Sequence, residues 1–322
     1  MHEKKTKFSF FKICVVKLIL FLGQKTIIGR GRLREKIINF INYYIGYGDF
    51  KETRFICNVN GIPFNFYNDK LTRIKIYFGR NERKEIEFIK KNSLNDSVFI
   101  DIGSNMGLYT QSIAFLNYKY ENIKIISIDA HPLNNFRLKK NLELIKSKIP
   151  NIFSIVKIKN CALGDKNCKL NLDFSGGLAN GALTNKKTKN SIIVECKRLI
   201  DIVREEKLNS ISNLKIDVEG FEFEVLKGFG NMLSEKAIKI IQFEYGYANA
   251  DAGHTLKDIY NFLTSKGYLV GPIKPEGVIF MEFDYPLNNF TSGPNFIAVS
   301  SEQHDLIKLL KGPPIRFYPY NK

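Results

Sequence analysis

Short apolar runs and longer stretches of mixed polarity alternate along the chain, and the alternation becomes regular from residue 98 onward. Val98-Phe-Ile-Asp-Ile102 is an apolar run of strand length with no polar face, the pattern of a parallel strand covered on both sides. Similar runs at 123–128, 153–158, 212–216, 238–243 and 296–300 predict further strands. Between most of them, 133–146, 198–207, 221–229 and 255–266 carry apolar residues at helical spacing. Alternation on this scale predicts βαβ units and an α/β fold with a doubly wound, mainly parallel sheet.

Upstream the pattern is different. Residues 1–50 read as a basic, partly amphipathic helical appendage that ends at Gly46 and Gly48. Residues 51–95 follow as a β-hairpin and a charged helix at about 80–92, and residues 96–322 form the main domain. The hairpin is expected because 55–59 and 62–66 flank Asn60-Gly61, a dipeptide that tolerates the positive φ of a tight turn, with Pro63 marking an edge strand. The apolar stretch Phe8 to Gly23 is interrupted by Lys12 and Lys17 and is shorter than the roughly 20 residues of a membrane span. It also lacks a cleavage pattern. With Arg30, Arg32, Arg34 and Lys36 downstream, residues 8–36 are either a peripheral contact with an anionic membrane or a helix packed on protein. The expected setting is cytoplasmic, at the inner face of a membrane in the first case. Ser175-Gly-Gly-Leu-Ala-Asn-Gly-Ala182 reads as a glycine-rich loop, a lid over a site or a surface excursion.

Composition changes this picture little. A 322-residue chain with 44% hydrophobic and 25% charged residues is an ordinary folded protein. The net charge of +17 would attract phosphates, nucleic acid or anionic membranes, yet no basic run interleaved with aromatics marks a nucleic-acid groove. The five cysteines, Cys14, Cys57, Cys161, Cys168 and Cys196, form no C-x-x-C pair, which predicts a reducing compartment and no structural metal.

The chemistry concentrates where strands end. Asp101-Ile-Gly103-Ser-Asn105-Met-Gly107-Leu-Tyr-Thr110 runs from a buried strand through a glycine turn into a helix, so a ligand can approach backbone and helix N-terminus. The spacing G-x-x-x-G departs from the G-x-G-x-x-G of a pyrophosphate site. An acid at the strand end suits a cationic ligand, such as the amino group of a methionine moiety, and repels a diphosphate. That polarity favours a sulfonium cofactor over NAD. The next strand ends in Asp129-Ala-His131-Pro132, where an acid can accept hydrogen bonds from ribose hydroxyls. Alone, either acid is as readily a cap or turn residue. Further on, Lys215-Ile-Asp217-Val-Glu219-Gly220 places carboxylates at the same edge, and Glu222 and Glu224 fall in the first turn of the next helix. Glu244, Asp251 and His254 are candidates on the acceptor side.

This combination resembles the FkbM family of methyltransferases. The matching pieces are Asp101 to Thr110, Ala162-Leu-Gly-Asp165, Ile216-Asp-Val-Glu-Gly220 with Glu222, Glu244, and Asn295-Phe-Ile-Ala298, in the family's order over about residues 95–300. The resemblance implies a class I Rossmann-like methyltransferase fold, S-adenosyl-L-methionine as cofactor, and O-methylation of sugars, glycolipids or polyketides, as in polysaccharide biosynthesis. It carries cofactor roles onto Asp101, Gly103, Asn105, Gly107 and Asp129, with Ala162 and Asp165 near the adenine. Asp129-Ala-His-Pro132 departs from the family's Glu-Pro arrangement after its second strand.

The chemistry expected is in-line transfer of a methyl group to a hydroxyl of a small-molecule or glycan acceptor. Asp217 or Glu219, then Glu244 and His254, are the candidate bases, unless the clustered carboxylates hold a divalent metal. A nucleic-acid (RNA) methyltransferase is the first alternative, although Asp217-Val-Glu-Gly220 is not the Asn/Asp-Pro-Pro-aromatic turn of base methylation. A non-catalytic cofactor-binding scaffold in glycan assembly is the second.

Overall fold

The computed structural model describes residues 53–59, 61–67, 95–174, 181–184, 187–274, 277–280, 282–283 and 295–312, with isolated positions 14, 15 and 18. The charged helix expected at 80–92, most of the basic appendage and residues 175–180 of the glycine-rich loop lie outside the described residues. The first strands, β1 (Thr53–Val59) and β2 (Ile62–Tyr67), pair antiparallel across Asn60-Gly61 as the turn chemistry predicts.

The central sheet is built on β3 (Val98–Ile102), β4 (Lys124–Ile128) and β5 (Val156–Lys159), which run parallel, outward from β3 to the edge. The chain then returns to the other side of β3 with β10 (Ile211–Ile216) and β11 (Ile238–Glu244), again parallel. Finally β14 (Asn295–Ser300) inserts antiparallel between β11 and β12 (Tyr268–Lys274), and the short β13 (Gly277–Val278) closes that edge. The order β13-β12-β14-β11-β10-β3-β4-β5 reverses direction between β3 and β10. In an open α/β sheet, the crevice at such a reversal, beyond the carboxyl ends of the strands, is where ligands bind.

Helices cover both faces because the strands are apolar on both. Phe99 of β3 packs with Tyr109 and Ile113 of α1 (Leu108–Asn117) and with Leu138 and Leu142 of α2 (Pro132–Leu144). Its neighbours Ile100 and Ile102 point the other way, onto Leu199 and Ile202 of α4 (Leu199–Glu205) and onto Val225 and Leu226 of α5 (Glu222–Lys227). Each fully buried aliphatic or aromatic side chain contributes about 1.5–3 kcal/mol. The period-two split of one strand thereby fastens helices to opposite faces.

The run 153–158 differs from its prediction as a strand. Ile152–Ile155 is a short helix, α3, and β5 begins only at Val156, where pairing with Ile125 starts. Ile152 and Ile155 are both buried, three residues apart, so the apolar run opens with a helical turn before it becomes a strand. Beside the glycine-rich loop lies a second sheet. It joins β6 (Ala162–Leu163), β7 (Cys168–Asp173), β8 (Ala182–Thr184) and β9 (Ser191–Lys197), and sets Cys168 directly opposite Cys196 as free thiols. Further helices among the described residues are α6 (Tyr247–Asp251), α7 (Leu256–Ser265) and α8 (His304–Leu310). Among the described residues no helix is long and apolar enough to cross a membrane.

Candidate active site at the carboxyl edge of the sheet

The turn after β3 is held shut by backbone. Gly103 and Ser104 N–H donate to the carbonyl of Ile128 at 2.9 and 3.1 Å, and Asp217 N–H donates to the carbonyl of Ile102 at 3.0 Å. Gly103 has φ +76, and a Cβ there would stand 1.7 Å from the carbonyl oxygen of Asp217. Glycine is therefore required where the two strand ends converge. Gly107 has φ +85 and lies against Leu138, and Asn105 also adopts a positive φ of 52.

Asp101 is wholly buried at the end of β3, and its Oδ2 accepts a 2.6 Å hydrogen bond from the Thr110 hydroxyl. Asp129, at the end of β4, is gripped from several sides. Its Oδ2 accepts from Asn105 N–H at 2.8 Å, and its Oδ1 accepts from His131 N–H at 2.8 Å and from the Asn134 amide at 3.1 Å. Asn135 and Asn160 amides donate to its backbone carbonyl at 2.9 and 3.0 Å. Burial pushes the Asp129 carboxyl up to about 6, against those hydrogen bonds, which favour the charged form. His131 caps α2, its Nδ1 accepting from Leu133 N–H at 3.1 Å.

At the end of β10, Lys215 Nζ is 2.8 Å from Asp217 Oδ2 and 4.0 Å from Asp101 Oδ1. Glu244, exposed at the end of β11, faces Asp217 and shares a hydrogen bond with it. The charge of Asp217, more than the partial burial of the strand end, raises the Glu244 carboxyl to about 8. Glu219 is exposed with φ 54, and Gly220 follows with φ +102, where a Cβ would stand 2.5 Å from the Ala248 carbonyl.

Glu222 falls in the first turn of α5, as expected, but is buried and accepts from Val218 N–H at 2.9 Å and Gly220 N–H at 3.0 Å. It also accepts from the Asn249 amide, so it ties the loop after β10 to α6. Burial raises it to about 7. His254 is engaged by α5: its Nε2 is 2.7 Å from Glu224 Oε1 and its ring meets Phe223 edge-on. Ala162 is buried in β6, and Asp165 is exposed in the turn that follows it. Asp251 is exposed at the end of α6.

The edge thus gathers Asp101, Asp129, Asp217, Glu219 and Glu244, with Lys215 among them. Thr110, Lys215, Asn134, Asn160 and Asn249 were not singled out from the sequence as site residues. Lys215 carried a readable signal, because a lysine inside an apolar strand destined for burial is an anomaly that needs a partner. Among the described residues no group of three His, Cys, Asp or Glu side chains is placed to hold a metal.

The chain is similar to proteins named as methyltransferases. Methyltransferase 1 of Beauveria bassiana (strain ARSEF 2860) is 23% identical over 237 residues, covering 62% of this chain and 88% of that protein. Methyltransferase sdnD of Sordaria araneosa is 27% identical over 186 residues, covering 45% and 69% respectively. Among solved structures, Methyltransferase FkbM from Methylobacillus flagellatus KT superposes with a TM-score of 0.43 at 14% identity, covering 71% of this chain and 55% of that one. The Methyltransferase FkbM domain matches residues 101–270, more than half of the sequence. That match runs from Asp101 in β3 into β12, and the chain belongs to the FkbM family of methyltransferases.

Proposed function

We propose that the protein is an S-adenosylmethionine-dependent O-methyltransferase whose acceptor is a hydroxyl of a sugar, glycan or related small molecule. The observation that carries this reading is the placement of Glu244, an exposed carboxyl at the end of β11 that faces Asp217 beside the buried acids at the ends of β3 and β4, where the charge of Asp217 raises its proton affinity. A general base works best when its pKa lies near the working pH, and an ordinary carboxylate is too weak. Glu244 is shifted toward that range, and in its ionised form it accepts the proton of the acceptor hydroxyl. An alcohol must lose its proton as it attacks, whereas a neutral amine attacks through a free lone pair, so such a base favours oxygen as the nucleophile.

The donor set fits the cofactor. Asp101 and Asp129 end adjacent parallel strands, and the Asp101 charge is felt at Asp129. Together they present negative charge to the amino acid and ribose parts of a sulfonium compound and would repel a pyrophosphate. When bound, S-adenosylmethionine would supply an electrophilic methyl group. The chain's own part is to hold the acceptor oxygen in line, an effect worth roughly 7–11 kcal/mol in well-oriented systems. Exposed Tyr247, at the start of α6, offers a flat face to the apolar side of a sugar ring.

Carboxylates at the mouth also weigh against a phosphate-bearing acceptor, despite the net charge of +17. The test is to incubate the protein with isotopically labelled methyl donor and fractionated cell extract, and to identify the product by mass spectrometry. A methyl ether on a hydroxylated small molecule or glycan is expected, and label found only in RNA overturns the reading. With that acceptor, Glu244→Gln is expected to lower kcat by about 10²–10⁴-fold. Its affinity for S-adenosylhomocysteine should stay near that of the unaltered protein.

A further inference from the structure

Lys215 is a lysine in the middle of a buried sheet, its side chain only 6% exposed. Its register in β10 sets it beside Asp101 of β3 on one side and Gln242 of β11 on the other. The ammonium sits 5.1 Å above the ring of Tyr109, whose hydroxyl lies 3.3 Å from Gln242 Oε1. Held this way, it reaches Asp217 at 2.8 Å and Asp101 at 4.0 Å. A buried ammonium in hydrogen-bond contact with one carboxylate favours the ionised form of that carboxylate. Glu244 faces Asp217 as a like charge, which outweighs the weaker direct pull of Lys215 on it.

We propose that Lys215 is a positioning residue that holds Asp217 as the ionised member of the Asp217–Glu244 pair, so that Glu244 is the member that takes up and releases a proton, and that it anchors this pair to Asp101. Lys215 touches no substrate and takes no proton. It acts through Asp217, whose fixed charge gives Glu244 its basicity, and the inference rests on the base assigned to Glu244 above. The other charges facing the pair are Glu219, in the turn after the same strand, and Asp101. Glu222 also feels the Asp217 charge, but its oxygens are taken up by Val218 and Gly220 N–H and the Asn249 amide.

The test uses ligand-free full-length protein with ¹³C-labelled Asp and Glu carboxyls, assigned with Asp217→Asn and Glu244→Gln and titrated from about pH 5 to about pH 9. In the unaltered protein Asp217 is expected to ionise first and Glu244 last, in the alkaline range. Lys215→Met should raise the proton affinity of Asp217 roughly tenfold or more and narrow the gap between the two ionisations, while Lys215→Arg should preserve it. An unchanged gap in Lys215→Met overturns the assignment. Should that variant not fold, the unaltered protein decides, because Asp217 ionising after Glu244 overturns it equally. The titration needs neither methyl donor nor acceptor. Its failure would therefore leave O-methyl transfer standing, and a labelled product other than a methyl ether would leave the titration standing.

Discussion

Glu222 shows how one side chain can serve structure and carry a pH signature. Its carboxyl is 1% exposed and accepts from Val218 N–H, Gly220 N–H and the Asn249 amide. Those bonds favour the charged form, but burial outweighs them and raises the group from 4.5 to about 7. Between these values the folded protein holds a proton that the unfolded chain has released. The associated stability is fully present below about 4.5 and is lost as pH rises through about 7. The difference corresponds to roughly 3 kcal/mol. Asp129, raised to about 6, adds a term of the same sign. Glu222→Gln removes the first term and leaves one of its backbone N–H partners without an acceptor, a loss of about 1–3 kcal/mol. The expected outcome is a lower thermal midpoint with a flatter decline from about pH 5 to about pH 8, read by calorimetric scans at each pH. A decline as steep as in the unaltered protein would show that Glu222 is not the group responsible.

Elements differ in how plainly the sequence announces them. The strands β3, β4, β10 and β11 are short, apolar on both faces and closed by turn residues, so they were legible, and so were the acids at their ends. By contrast β7 and β9 are half-exposed and interleave Lys, Asn and Glu with their apolar residues, so little period-two contrast remains. In β12, Gly271 and Pro272 look like a break. Yet Gly271 is where the backbone of Ile279 crosses, 2.1 Å from where a Cβ would stand. Such a crossing is a tertiary fact that no local pattern encodes. Gly103 makes the same point where function is at stake. Gly103→Ala would put a methyl group 1.7 Å from the Asp217 carbonyl, whereas Gly253→Ala shares a positive φ but meets nothing within 4 Å. The second should cost only the backbone term of about 1–2 kcal/mol. The first should exceed about 3 kcal/mol and shift the thermal midpoint down by roughly 10 °C, since about 2–4 °C accompanies each kcal/mol at this size. Equal shifts in the two variants would mean that strain, and not the convergence of β3 and β10, explains the glycine.

For the molecule as a whole, the charge of +17 and the acidic mouth of the sheet point to different partners, and the sequence ranks a small-molecule or glycan acceptor ahead of nucleic acid. Net charge sums over a surface, whereas a ligand meets local charge, and Asp101, Asp129, Asp217, Glu219 and Glu244 come from strand ends far apart in sequence. Their common edge was legible from the sequence, and the order of β4, β3, β10 and β11 in the sheet sets them side by side there. If that mouth grips a sulfonium compound and its demethylated product, binding to the folded state alone must raise stability by mass action. At a hundredfold excess over Kd the gain is about 2.7 kcal/mol, or roughly 5–10 °C in thermal midpoint. S-adenosylhomocysteine is expected to produce that shift, and NAD is expected to produce none, because its pyrophosphate would face Asp101 and Asp129. Asp101→Ala should abolish the shift with S-adenosylhomocysteine while the variant still unfolds cooperatively. A comparable shift with NAD, or an undiminished one in Asp101→Ala, would mean that these strand-end acids are not what the cofactor meets.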